Sequence, residues 1–250
     1  MIILKTPQEI ALIAKASRVV ALTIAFLRER VKPGITTADL DRWAEEFIVR
    51  EGARPAFKGY RGYPATLCTS VNEEVVHGIP SPRKRLNEGD IIGVDVGAVV
   101  EGFHGDAAVT LPVGAISDEA ARLIRVTEAS LAAGLAKVNV GNRLSDVSHA
   151  IQIVAEDEGY SVVTDFVGHG IGRNLHEDPQ VPNFGRPGEG PRLKEGLVLA
   201  IEPMVNAGRS EVEVLSDRWT VVTKDRSLSA HFEHTIALTA DGPQVLTMAA

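Results

Sequence analysis

Two carboxylates stand where a folding chain tolerates them least. Asp95 lies mid-way along Ile91-Ile92-Gly93-Val94-Asp95-Val96-Gly97, and Glu202 closes the run Leu197-Val198-Leu199-Ala200-Ile201. Both runs have the length and apolar content of buried strands. An ionised carboxylate among apolar side chains is unfavourable unless it is paired or coordinates a cation. Few Lys or Arg residues flank either position. Four more groups share the predicament, since Asp106, His169, His176 and Glu233 also sit in apolar or glycine-rich surroundings. Any fold open to this chain must bring these groups a common counter-charge, and a metal is the simplest one.

The signals for regular structure are clear at the N-terminal end. Thr6-Pro7-Gln8-Glu9 predicts a helix start, with Thr6 as N-cap and Pro7 in the first turn, and helical periodicity runs through Leu27 to Lys32-Pro33-Gly34. A second helix is predicted from Thr37 to about Glu51-Gly52, then a loop from Arg54 to Pro64 and a strand over 65–71. Asn87-Glu88-Gly89-Asp90 marks the turn before the Asp95 strand. Residues 117–137 and 144–158 read as long helices, residues 168–190 as a Gly/Pro-rich loop, and strands follow at Leu197, Trp219 and Thr235. Interleaved in this way, the elements predict an α+β fold with a mixed, largely antiparallel sheet covered by helices. No linker or repeat divides the chain, so one domain over residues 1–250 is expected.

Composition narrows the class. A net charge of −7, with both signs mixed along the chain, argues against a general nucleic-acid or anionic-membrane binder, which needs a basic face. Cys68 is the single cysteine, so no intrachain disulfide forms, as in a reducing cytoplasm. The first residues lack the features of a signal peptide. No apolar run reaches the ~18 residues of a membrane span, so none is expected.

The acidic and histidine positions can be placed on these elements. Residues 91–99 and 104–111 read as a hairpin across Val100-Glu101-Gly102-Phe103. A turn centred near Val100-Glu101 sets Asp95 against Asp106, roughly 5 Å apart if opposed and about 7–8 Å on the diagonal. Two carboxylates at that separation can bridge two hard divalent ions, although Asp106 after Gly105 can also simply close a turn. In Gly168-His169-Gly170-Ile171-Gly172-Arg173-Asn174-Leu175-His176-Glu177 the histidine spacing differs from the His-Glu-x-x-His of helical zinc proteases, and the glycines argue for a loop. Each histidine alone reads equally as a hydrogen-bonded core or surface residue. The glycines beside His169, however, point to close backbone approach. Glu202 precedes Pro203 at a strand end, and Glu233 enters the last strong strand.

Together these positions carry a resemblance. The strings Val76-His77-Gly78-Ile79-Pro80, Gly93-Val94-Asp95-Val96-Gly97, Gly102-Phe103-His104-Gly105-Asp106, Gly168-His169-Gly170-Ile171-Gly172, Leu175-His176-Glu177-Asp178-Pro179, Ile201-Glu202-Pro203 and Ser229-Ala230-His231-Phe232-Glu233-His234-Thr235-Ile236 resemble those of the methionine aminopeptidases. That group has a creatinase/aminopeptidase, or pita-bread, fold: a curved, mainly antiparallel sheet with helices on its outer face. The resemblance implies two divalent ions (Co²⁺, Mn²⁺, Fe²⁺ or Zn²⁺), with Asp95 on one, Asp106 and Glu233 bridging, and His169 and Glu202 completing the second. Four carboxylates then balance the +4 of two ions. It further implies that His176 hydrogen-bonds the scissile carbonyl oxygen, that His77 sits by the scissile nitrogen, and that Glu202 moves a proton. The free α-amine of the substrate is held at the metal centre.

For the substrate methionine the resemblance implies a pocket of Tyr60, Tyr63, Cys68 and Trp219 with Phe57 nearby, where a thioether packs against rings and a soft sulfur. Taken singly, Cys68 and Trp219 read equally as ordinary core residues. Leu175 and Arg61 occupy variable positions of the pocket wall and mouth. The short stretch between His169 and Glu202 resembles the type I, bacterial-style enzymes, which lack an inserted helical subdomain there. Asn72, the Glu74 carbonyl and Ser229 match a monovalent-cation site (Na⁺ or K⁺) of type I relatives, though an Asn and a Ser by a turn also serve as backbone caps. The implied activity is removal of the initiator methionine from peptides and nascent chains whose second residue is small, by a cytoplasmic monomer, with ribosome association as a further implied partner. The alternatives are an Xaa-Pro dipeptidase or aminopeptidase P, which normally carries a substantial N-terminal domain, and a non-catalytic pita-bread module that binds peptides or histones. A nucleotide-binding oxidoreductase is excluded, because Gly93-x-x-x-Gly97 lacks the required glycine fingerprint.

Overall fold

Two threonines start the first two helices by the same device. Thr6 and Thr36 each accept a hydrogen bond from the third helical N–H, while Glu9 and Asp39 reach back to the cap backbone. The resulting helices, α1 (Pro7–Arg28) and α2 (Thr37–Arg50), match the predicted spans. The computed structural model describes residues 1–248. Beyond α2 lie β1 (Arg54–Pro55), a single 3-10 turn (Tyr60–Gly62), β2 (Leu67–Val71), β3 (Glu74–Val76), β4 (Ile91–Val100) and β5 (Phe103–Pro112). Helices α3 (Asp118–Leu135) and α4 (Leu144–Asp157) follow. Ten short strands complete the described chain: β6 (Ser161–Val162), β7 (Gly168–Gly170), β8 (Glu177–Val181), β9 (Val198–Ile201), β10 (Met204–Asn206), β11 (Val212–Val214), β12 (Val221–Thr223), β13 (Ser229–His231), β14 (His234–Thr239) and β15 (Gly242–Val245).

Every strand ladder among the described residues is antiparallel, so the expected mixed sheet is corrected to purely antiparallel pairing. The ladders form four sheets, the largest ordered β15-β14-β9-β7-β8. The spine of the fold is the β4–β5 hairpin. Glu101 and Gly102 both have positive φ, as a two-residue primed turn requires, and the turn therefore centres one residue later than expected. Asp106 consequently opposes Gly97, and Asp95 opposes Ala108. The two aspartates share a face on the diagonal rather than standing opposite each other.

Alternation along this hairpin sorts the molecule into two sides. Ile92, Val94, Val96 and Ala98 of β4, with Ala107, Val109 and Leu111 of β5, join one core with Val20 and Leu27 of α1, Leu40 of α2, Leu123 of α3 and Ile151 of α4. Asp95, Asp106, Val99 and the facing Cys68 point the other way, toward a second cluster that contains Phe57, Tyr63 and Leu175. Helices cover one side of the hairpin. The acidic cluster occupies the other.

Helix α1 overturns one expectation. Its best window has a mean hydropathy of 2.0, so by length and composition it is apolar enough to cross a membrane. In the fold it packs along β4 and β5, with Ile13, Val20 and Leu27 fully buried at seven-residue spacing. Lys15 and Arg18, three apart, occupy the exposed face. Such strong apolarity belongs to a core helix with a narrow wet edge.

Candidate metal centre and cleft

The floor of the site follows from strand register. Glu233, between β13 and β14, exchanges backbone hydrogen bonds with Ala108, at 2.8 Å from its N–H and 3.4 Å to its carbonyl. Ala108 in turn pairs with Asp95. Three segments thus lie side by side, and the small Ala108 side chain leaves space between the two carboxylates. The Thr235 hydroxyl ties the same region by donating to the Asp106 carbonyl at 2.7 Å and accepting the Asp106 N–H at 3.2 Å. Glu202 stands just past β9, its carbonyl held by the Asn183 amide at 3.0 Å.

His169 corrects the loop assignment. It lies in β7, opposite Ala200 of β9, inside the five-stranded sheet. The glycine after it serves strand packing, because a Cβ at Gly170 would come within 2.2 Å of the Asp178 carbonyl oxygen. His169 is fixed by that ladder, with Nε2 3.5 Å from Glu202 Oε1 and 3.9 Å from Asp106 Oδ2. Ligand atoms of Asp106, His169 and Glu233 all lie within 4.8 Å of one another.

These groups fit a cationic guest. Asp106, His169 and Glu233 are buried, while Asp95 and Glu202 line the cleft half-buried. One oxygen of each of Asp95, Asp106 and Glu233 has no hydrogen-bond partner, which is unfavourable for a buried carboxylate. Burial pushes the Asp95 carboxyl up to about 7. Burial first, then repulsion among neighbouring carboxylates, drives Asp106, Glu202 and Glu233 well above the usual range. Burial also holds the His169 imidazole down to about 4, so it is a neutral nitrogen donor near neutrality. Among the described residues Arg61 is the sole Lys or Arg lining the cleft, and it stands exposed. Four carboxylates, one neutral imidazole and orphaned oxygens form a donor set for hard divalent metals.

The wall of the cleft is made of turns. Its cavity of about 150 Å³ is lined by all five of these groups and by Phe57, Tyr60, Tyr63, Cys68, His77, His176 and Trp219, so the expected metal, catalytic and methionine-pocket residues come together. Tyr63 donates its hydroxyl to the carbonyls of Leu67 and Gly78 and meets Trp219 edge-on at 5.0 Å between ring centroids. Trp219 precedes β12 instead of lying in a strand, and the Asp217 carboxylate accepts its N–H at 2.9 Å. Cys68 is buried against these rings, and burial pushes its thiol pKa up, leaving a neutral soft sulfur. Leu175 completes this apolar patch, whereas Arg61 lies at the mouth.

The two remaining histidines are held differently. His176 stacks on Tyr60 at 5.3 Å, and its Nδ1 lies 2.9 Å from the Tyr60 hydroxyl. If that hydroxyl donates, Nε2 carries the proton and faces the cleft. Partial burial, with His169 and Arg61 nearby, keeps the ring below the usual histidine pKa and therefore neutral at pH 7. His77 has a φ of 59°, an unfavourable conformation for a non-glycine residue, and packs against Phe166 and Trp219. It is fixed there by Gly78, where a Cβ would meet the Thr69 carbonyl oxygen at 2.1 Å.

Sequence reasoning passed over His231. It is buried, its Nε2 has no hydrogen-bond partner, and it lies 3.7 Å from Glu202 Oε2. Its position two residues before Glu233 was the available signal. At the expected monovalent-cation position, the Asn72 carbonyl accepts the Ser229 N–H. The Asn72 amide is engaged by Asp90 and the Ile91 N–H, and the Ser229 hydroxyl donates to Asn206. The capping role is the one these side chains display.

A strand-floored cluster of carboxylates and imidazole beside an apolar cleft defines a metallopeptidase, and the chain belongs to metallopeptidase family M24, whose profile matches residues 11–240. A methionine aminopeptidase of Clostridium acetobutylicum is 56% identical over 248 residues, covering 99% of both chains. The crystal structure of a methionine aminopeptidase from Thermotoga maritima is 49% identical, covers 100% of both chains and superposes with a TM-score of 0.98. Within the family the chain falls among the methionine aminopeptidases, which are metal-dependent hydrolases of the pita-bread fold. The prolidase of Pyrococcus furiosus, at 22% identity and a TM-score of 0.78, shares that fold over 99% of this chain and 66% of its own.

Proposed function

We propose that this cleft removes the N-terminal methionine from peptides and nascent chains when the second residue is small, using two divalent ions. The observation that carries this reading is the convergence of Asp95, Asp106, His169, Glu202 and Glu233, with unpaired buried oxygens, against a pocket of aromatic rings and a thiol. Asp95, Asp106, His169, Glu202 and Glu233 would hold the two ions between them. When bound, such a pair of divalent ions supplies Lewis-acid activation of water and compensation of developing negative charge. Co²⁺, Mn²⁺, Fe²⁺ and Zn²⁺ all suit this oxygen-rich set.

The chain's own residues do the rest. The pocket of Phe57, Tyr60, Tyr63, Cys68 and Trp219 receives the thioether side chain. His176, neutral and with its Nε2 proton facing the cleft, donates to the scissile carbonyl oxygen and follows it as charge builds there. Glu202 accepts the proton of the attacking water and passes it on. His77, held rigid by Gly78, faces the departing nitrogen. The reading covers one catalytic domain working as a monomer in the cytoplasm.

Metal-stripped protein reloaded with Co²⁺, Mn²⁺ or Fe²⁺ is expected to release methionine from Met-Ala-Ser and to spare Met-Leu-Ser. Faster cleavage of Ala-Pro or other Xaa-Pro peptides overturns the methionine assignment. Metal uptake without hydrolysis of either series points to a non-catalytic binding module.

A further inference from the structure

Far from the carboxylates in sequence, one ion pair is almost completely enclosed. The side chains of Lys5 and Glu177 are 3% and 5% exposed, and Lys5 Nζ lies 2.5 Å from Glu177 Oε2. Lys5 Nζ also donates to the Ile3 carbonyl at 2.8 Å, while Glu177 Oε1 accepts the Asn174 N–H at 3.1 Å. A buried ion pair is seldom a better stabiliser than apolar residues of the same volume, so its presence calls for another account.

The geometry supplies one. Glu177 directly follows His176, and Lys5 comes from the N-terminal segment, which is itself pinned by its N–H to the Gly196 carbonyl at 2.6 Å. Between them the backbone of Gly172 passes so closely that a Cβ there would stand 2.6 Å from Lys5 Cε and 2.9 Å from Glu177 Oε1. At the same residue the His104 N–H holds the Gly172 carbonyl at 2.8 Å. The loop from Gly172 to Glu177 is therefore tied at both ends, while the His176 side chain itself makes one hydrogen bond, to Tyr60. The terminal amine of Met1 reaches Asp178, one residue further along.

We propose that Lys5 and Glu177 are positioning residues for His176, a clamp by which the N-terminal segment fixes where that imidazole stands in the cleft. This rests on the reading that His176 acts on the substrate carbonyl. Lys5 touches neither the cleft nor the carboxylates, so its removal acts through the loop.

Two measurements on the full chain test the clamp. The first is the histidine ring spectrum of ¹³C-labelled, Zn²⁺-loaded protein, in which the His176 signal is assigned by its loss in His176→Ala. Lys5→Met is expected to move the His176 signal and leave those of His169 and His77 in place. An unmoved His176 signal overturns the proposal. The second is turnover of Met-Ala-Ser, where Lys5→Met is expected to lower kcat about ten- to a hundredfold with KM and bound metal unchanged. In a His176→Ala background the same substitution should change kcat less than about twofold, as a shared pathway requires. Equal losses in both backgrounds also overturn the clamp. Full turnover by His176→Ala would instead refute the role of His176 at the substrate, while the ring spectrum still decides the clamp. Should Lys5→Met fail to fold, Glu177→Gln, whose amide oxygen can still accept the Asn174 N–H while its NH2 cannot accept from Lys5 Nζ, carries the same two measurements.

Discussion

The floor and the wall of the cleft are built by opposite means. The floor borrows its precision from strand ladders: ten residue pairs of β4 and β5 fix Asp95 and Asp106, and the neighbouring ladder fixes His169. The wall is assembled from turns, in which local contacts such as Tyr60 to His176 or Lys5 to Glu177, or a left-handed residue such as His77, set the side chains. The floor is over-determined and the wall is not. A site of this kind can keep its metal chemistry constant while the wall changes what is recognised.

Substitutions can break this division. The largest effect belongs to the floor: Glu233→Ala should abolish both turnover and metal binding, measured by peptide release and metal content. Retained activity would refute the bridging role. Next comes the wall, where His176→Ala should lower kcat about 10²- to 10³-fold, in the range of a lost oxyanion donor, with full metal occupancy. Loss of metal in that variant would show that floor and wall are one unit. Tyr60→Phe removes one hydrogen bond of about 1 kcal/mol and should lower kcat about fivefold. No change would mean that stacking alone orients the ring.

The gentlest probe is pH acting on the metal-free protein. Raised carboxyl pKa values mean that the native state holds protons which the unfolded chain releases. The stability these groups contribute is complete below about pH 4, near the unfolded carboxylate values, and is lost as pH rises through the raised folded values, about 7 for Asp95. Metal-free wild type should therefore melt at lower temperature at pH 8 than at pH 6, and Glu233→Gln should reduce that difference. A melting temperature that climbs with pH, unaffected by Glu233→Gln, would contradict the electrostatic picture of the floor.

The floor was also the legible part. Asp95 inside an apolar strand and Glu202 before Pro203 announced themselves through polarity out of place, and Thr6-Pro7 announced α1 through cap chemistry. Register was harder to read, because moving the turn from Val100-Glu101 to Glu101-Gly102 changes the partner of every residue in the hairpin. The glycines around His169 read as a loop because a glycine needed for close strand packing carries the same letter as one needed for a turn. His77 and His231 are placed by neighbours distant in sequence, Phe166 and Trp219 for the first and Glu202 for the second, so the local strings that contain them do not show what they face. The methionine pocket came from likeness to a family, since Cys68 and Trp219 alone look like any buried residues.

Helix α1 also sets a problem of timing. It is complete at Arg28, but the hairpin that covers it closes only at Pro112. At about 5–20 residues per second, a growing chain carries that apolar helix uncovered for several seconds. During that interval its hydropathy is the kind that membrane-targeting factors and holdase chaperones recognise, and the exposed Lys15 and Arg18 are the interruptions within it. A helix that the finished fold hides thus spends part of its own synthesis without the hairpin that covers it.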